Sequence, residues 1–239
     1  MGAPAAQRVD HHVRHRNITG GWLRPALFGV TDGLVSNFAL VMGVAGADVA
    51  PRVVLLAGLA GLFAGAFSMA TGEWNSVRSQ AELAEAEIAL ERRELASNPA
   101  AEEAELAALY RHRGLDADLA REVARQFARD PEVLWRIHAR EELGIDPDNL
   151  PSPWVAAGSS FVSFALGATV PVLAYALDLA SPFAVAAVLS VVALFAIGAV
   201  VGRLTAKPWP VTGLRQLALG AGAAAVTYVV GSVVGVGVS

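Results

Sequence analysis

The sequence predicts an all-α protein: a five-span transmembrane helical bundle with a polar helical insert between spans two and three. Two observations carry this. Five segments, at about 26–47, 53–74, 154–177, 183–204 and 214–238, are long and apolar enough to cross a bilayer, which takes roughly 20 residues of helix. Between the second and third of them lies a charged block: 18 of the 22 acidic residues fall between Glu73 and Asp148, together with ten arginines. The chain as a whole is only 17% charged, against about a quarter in soluble domains. Its charge is therefore concentrated in one place, and an acidic block hung between spanning helices points to something cationic.

The chain divides into a basic tail (1–24), spans one and two (25–75), the insert (76–150) and spans three to five (151–239). The tail has no continuous apolar run before the first span, so no cleaved signal peptide is expected. Its His11-His12-Val13-Arg14-His15 stretch could bind metal, but a disordered basic tail is the preferred reading. Span one is the least uniform, because it contains Thr31, Asp32, Ser36 and Asn37. Spans three to five are plain apolar runs. Gly61 with Gly65, and Gly231 with Gly235, have a spacing that lets helices approach closely.

Orientation follows from the basic residues, which favour the cytoplasmic side. In a five-span arrangement 17 of the 18 lysines and arginines fall on one side, and Arg52 alone falls on the other. The tail and insert are thus expected to be cytoplasmic and the C-terminus outside, in an integral membrane protein.

The insert reads as helix throughout. Ser76 to Leu95 lacks Pro and Gly and is rich in strong helix formers, so the second span should continue out of the membrane. Asn98-Pro99 stops it and caps a second helix reaching about His112. Asp116 starts a third, to about Arg129. Asp130-Pro131 starts a fourth, which runs to Leu143 with Gly144 as its stop.

Spacing singles out three sets of insert residues. Glu91 and Glu94 are i,i+3 and share a helix face, as do Glu102 and Glu105 on the next helix. A short turn between antiparallel helices would set the two pairs opposite each other, an oxygen-rich cage for divalent ions. His138 and Glu142 are i,i+4, and the imidazole moves the preference toward transition metals. The plainer reading stays open: Glu91 and Glu94 flank Arg92 and Arg93 as on a solvated face, and Glu102 suits a helix N-terminus without any metal. In the membrane, an ionisable Asp32 is costly and a functional candidate, with Ser36 one turn on and Asn37 beside it. Met69 lies one turn from Glu73. A thioether beside a carboxylate favours Fe2+ or Mn2+ over Mg2+ or Ca2+, whereas a gap-filling Met and an interfacial Glu are the ordinary alternatives. There is no cysteine, which excludes disulfides and thiolate ligands. The acidity of the insert disfavours nucleic acid as a partner.

At these residues the chain resembles the vacuolar iron transporter family and its bacterial iron/manganese relatives. The resemblance rests on Asp32-Gly33-Leu34-Val35-Ser36-Asn37-Phe38-Ala39-Leu40, on Ala64-Gly65-Ala66-Phe67-Ser68-Met69-Ala70, and on Glu141-Glu142-Leu143-Gly144. It implies a transporter rather than an enzyme. It further implies a homodimer with the ion path between subunits, lined by the first two spans, a cytoplasmic metal-binding domain, and export of a divalent metal from the cytosol against protons. The expected path residues are Asp32, Met69, Ser36, Asn37 and Glu73. The metal-domain set is Glu91, Glu94, Glu102, Glu105 and Glu142, with His138. No prosthetic group is expected; Fe2+ or Mn2+ is the bound substrate, with Zn2+ and Co2+ as further candidates. Where the iron-transporting pattern has a methionine pair, this chain has His138-Ala139, which leaves iron versus manganese open. Glu73 fits the bacterial variant in Gly72-Glu73-Trp74. A membrane-anchored metal-binding or storage module without transport is the alternative.

Overall fold

A computed structural model describes the backbone of residues 21–238 and the side chains of 21–235. The N-terminal histidines and most of the basic tail lie outside the described residues. The described chain forms eight helices: α1 (Leu23–Gly46), α2 (Pro51–Ser97), α3 (Pro99–His112), α4 (Ala117–Phe127), α5 (Pro131–Glu141), α6 (Pro153–Ala176), α7 (Pro182–Leu204) and α8 (Trp209–Val238). Five of them, α1, the first half of α2, α6, α7 and α8, are long and apolar enough to span a membrane. Their length and composition are those of an integral membrane protein.

α2 runs unbroken for 47 residues, roughly 70 Å at 1.5 Å per residue. No Pro or Gly interrupts it between Glu73 and Ser97, where its composition turns from apolar to charged. Asn98 ends it and caps α3, its side chain accepting from the Ala101 N–H. Asp116 caps α4 in the same way, and Asp130 caps α5. Several boundaries differ from the sequence reading by a few residues, and two of them have a clear local cause. α5 stops at Glu141 rather than Leu143, because the Ile145 N–H turns back to the Ala139 carbonyl at 2.9 Å while Gly144 takes φ +66°. α8 begins at Trp209 rather than 214, since Pro210 is tolerated in a first helical turn.

α1 lies at the centre of the apolar bundle, against α6, α8 and α2. Small residues set the spacing. A Cβ on Gly231 of α8 would strike the Gly43 carbonyl of α1, so only glycine permits that crossing. The main core joins Leu34, Phe38, Val41 and Met42 of α1 to Val54, Val172, Tyr175 and Leu194. Large apolar side chains such as Leu56, 70% exposed, and Phe63 face outward, as they do where hydrocarbon is the solvent. Trp22, Trp154 and Trp209 stand at the N-terminal ends of α1, α6 and α8, and Trp74 lies midway along α2 where its charged half begins. Trp74 and Trp154 meet edge to face at 5.8 Å. Such aromatics mark a membrane–water boundary.

α3, α4 and α5 pack on one another and on the polar half of α2. Their small core is Leu106, Ala107, Ala124 and Leu134, flanked by Leu95, Tyr110, Phe127 and Ile137.

Candidate metal centre

The polar helices bury charge. His138, on α5, is 1% exposed, and Glu91, on the far end of α2, is 4% exposed. His138 Nδ1 lies 2.9 Å from a Glu91 carboxylate oxygen, 3.5 Å from Glu142 and 3.9 Å from Glu102. Glu91, His138 and Glu142 each offer a ligand atom within 4.8 Å of the others. Despite the 2.9 Å approach, Glu91 Oε1 has no aligned hydrogen-bond donor, and His138 Nε2 has no partner among the described residues. Buried polar atoms are ordinarily paired. Ligand atoms that converge without bonding one another fit a shared cation better than a hydrogen-bonded network.

The local electrostatics agree. Burial pushes the Glu91 carboxyl above its ordinary range; Glu142, Glu102 and Glu94 push the same way, while His138 pulls it down. Burial also raises Glu102, with Glu105, Glu94 and Glu142 adding to the shift against His138. Like charges in one desolvated place favour protonation, or a divalent cation that neutralises several of them at once. All six insert residues singled out by spacing thus lie close enough to influence one another electrostatically. Glu91, Glu102 and His138 are buried, whereas Glu142, Glu94 and Glu105 are exposed carboxylates at the edge of the cluster. Glu142 is the C-terminal cap of α5 rather than a residue inside it, yet it stays one turn from His138.

Neighbours that the motifs did not single out hold this arrangement. Arg92 lies over the Trp135 ring at 3.9 Å, and Trp135 Nε1 donates to Glu132 at 2.9 Å. Arg113 pairs with the Glu141 side chain and donates to its carbonyl at 3.1 Å, tying the end of α3 to α5. Arg140 bridges Asp146 and Asp148, fixing the turn after Glu142. The signal for Trp135 was present in sequence: a tryptophan three residues before His138 in an otherwise polar helix.

The membrane candidates are placed separately. Asp32 is half-buried on α1, roughly 15 Å along the helix from Trp22. It lies in an i,i+4 stripe with Phe28, Ser36 and Leu40, all three exposed. Ser36 Oγ donates to the Asp32 carbonyl at 2.6 Å, not to its carboxylate. Asn37 turns the other way and is 2% exposed. Its Nδ2 donates to the Ala168 carbonyl of α6 at 2.7 Å, beside the backbone left short of a donor by Pro171. Asn37 Oδ1 has no partner, and a Cβ on Gly61 would come within 2.7 Å of it. Met69 packs with Phe161 and Ala165 against Leu62, Ala66, Phe164 and Ala168. Glu73 is half-buried one turn further on, beside Trp74.

The VIT family profile matches residues 23–232, nearly all of the described chain. The chain belongs to the VIT family. Its VIT relatives include "Vacuolar iron transporter 1" of Arabidopsis thaliana, 30% identical over 95% of this chain and 91% of that protein. "Vacuolar iron transporter 1" of Oryza sativa subsp. japonica is 31% identical over 94% of this chain and 90% of its own length. "Vacuolar iron transporter" of Acanthamoeba castellanii is 41% identical over 65% of this chain, and that match spans 56% of its length. The VIT match takes in α1, the whole of α2 and the helices that carry the carboxylate–histidine cluster.

Proposed function

We propose that this protein moves a divalent transition-metal cation, Fe2+ or Mn2+, out of the cytosol in exchange for protons. The observation that carries the reading is Asp32. A carboxylate paired with no cation among the described residues stands part-exposed on an apolar helix at membrane depth, a placement that is costly without a function. The iron in the relatives' names supports iron as a substrate. The donor set adds manganese, with zinc and cobalt behind them, since carboxylates with one imidazole suit borderline divalent ions.

In this reading the polar helices are a cytoplasmic metal-binding domain. Glu91, Glu102, His138 and Glu142 hold the ion, while Glu94 and Glu105 draw it in. His138 offers its Nδ1 to the metal, and because burial raises the Glu91 and Glu102 carboxyls toward protonation, loading displaces protons from the cluster. Glu73 and Met69 stand roughly 6 Å apart along α2, between the cluster and the depth of Asp32. They pass the ion inward, and Asn37 and Ser36 line its way. Asp32 then binds metal or a proton in turn, and this alternation couples the two fluxes.

The stripe of Phe28, Asp32, Ser36 and Leu40, with the outward Leu56, Phe63 and Phe67 of α2, is where a second copy would pack. A homodimer there takes Asp32 away from lipid and encloses the path between subunits. The near-complete bias of basic residues to the insert side supports a cytoplasmic insert and an outward C-terminus. Export across a bacterial plasma membrane goes with this orientation; the relatives' names place theirs at vacuoles.

The test is metal flux in proteoliposomes with an imposed pH gradient. Fe2+ or Mn2+ should move only with wild-type protein and should carry protons the other way. If Asp32→Asn moves metal with an unchanged pH dependence, the coupling role is lost. Binding without any flux would favour a membrane-anchored storage module instead.

A further inference from the structure

The membrane-facing surface holds a second candidate site, away from the metal cluster. At the boundary nearest α3–α5, a groove of about 340 Å³ opens between α1, α7 and α8. Arg24 and Arg215 line it together with the apolar Leu27, Phe28 and Val201 and the polar Thr31, Thr212 and Gln216. From Arg24 to Thr31 it reaches roughly 10 Å along α1.

The charge around it is unbalanced in a way found nowhere else in the described chain. Arg203 lies 5.7 Å over the Trp209 ring at the same end of the bundle, and Lys207 follows in the connection from α7 to α8. Residues 21–31 and 181–235 contain no carboxylate side chain at all. The ten insert arginines, by contrast, stand among 18 acids. Arg24, Arg203, Lys207 and Arg215 thus form a positive corner in a net-negative chain. It sits at the level of the tryptophan belt, where lipid headgroups lie.

We infer that this groove binds an anionic phospholipid from the insert-side leaflet. Arg24 and Arg215 clamp the headgroup phosphate, and an acyl chain follows Leu27, Phe28 and Val201. A guanidinium suits phosphate geometrically, and basic pockets between spanning helices are the usual form of such sites. The apolar wall argues for a lipid over a free anion, which would gain nothing from it. Phe28 belongs both to this groove and to the stripe that carries Asp32, so the bound lipid borders the proposed ion path.

The experiment is native mass spectrometry of the full chain in detergent, titrated with phosphatidylglycerol or phosphatidylcholine. Wild type should retain phosphatidylglycerol in preference. Arg24→Gln with Arg215→Gln should reduce that preference, by about fivefold for each arginine removed. Arg24→Lys with Arg215→Lys should keep most of it, and Arg52→Gln, at the opposite end of α2, should leave it unchanged. Equal retention of the two lipids, or an unchanged preference in the double Gln variant, would overturn the inference. So would inorganic phosphate competing as well as phosphatidylglycerol, which would assign a free-anion site. If the Gln variant fails to fold, salt decides: raising it from 0.1 to about 1 M should erode the wild-type preference, and a salt-independent preference refutes the clamp.

Discussion

The two halves of this molecule invert each other's burial. In the membrane half Leu56 is 70% exposed, and the closest backbone approaches between helices fall at glycines, as at Gly231 against Gly43. In the polar half a histidine and a glutamate are almost wholly buried while most of the arginines lie exposed. Each half hides what its surroundings solvate poorly and then makes an exception. Asp32 is the exception in the apolar half, and the Glu91–His138 cluster is the exception in the polar half. Neither exception stabilises the metal-free fold, since unpaired polar groups out of water cost free energy.

The largest expected effect tests the two exceptions against each other. Asp32→Asn should cut metal flux at least tenfold while leaving Mn2+ affinity of the purified protein, measured by calorimetry, within about twofold. His138→Leu should do the opposite to affinity, weakening Mn2+ binding at least tenfold, in line with losses on disturbing metal ligands. Loss of both properties in both variants would collapse the distinction.

Next comes packing in the membrane half. Gly231→Leu forces α8 off the Gly43 carbonyl, an overpacking worth about 1–3 kcal/mol or more. It should lower the unfolding temperature in detergent without changing metal affinity.

The pH response separates the halves more finely. Glu91 and Glu102 have raised pKa values in the folded protein, so the metal-free fold binds more protons than the unfolded chain. Their contribution is greatest below the ordinary value of 4.5 and is lost as pH rises through the folded values. Metal-free thermal stability should therefore fall with rising pH across that window, and Mn2+ should remove the fall. Asp146, held low by Arg140, acts the other way, with stability lost as pH drops below the ordinary value of 3.8. Glu102→Gln should flatten the upper part of the profile, read by Trp135 fluorescence. An unchanged profile would mean that the cluster does not govern it.

The smallest effect is local. Asp116→Ala removes the α4 cap and should cost about 1 kcal/mol in unfolding by denaturant, with flux and metal affinity unchanged.

Much of the fold was legible because its signals are local. Five apolar runs, a helix with no breaker beyond Glu73, and the Asn98-Pro99 and Asp130-Pro131 caps each act within a few residues. The miss at Leu143 was local too, since a left-handed Gly144 and the Ile145 back-bond tightened the helix end early. The candidate site was legible only as a list. Spacing placed Glu91 and Glu94 on one face but did not show which would point inward, and Glu91 alone is buried. Asn37 was readable as a polar residue in a span, but its bond to Ala168, 131 residues away, was not.

The sequence by itself determined the elements, their ends and the separation of acidic insert from apolar spans, because propensity, capping and hydrophobic run length are properties of neighbours in the chain. Only the tertiary structure decided that His138 meets Glu91, that Asp32 stays on the exposed stripe, and that Arg24 of α1 and Arg215 of α8 line one groove. Those pairings depend on how helices rotate and cross, and that is set by which small residues let two backbones touch.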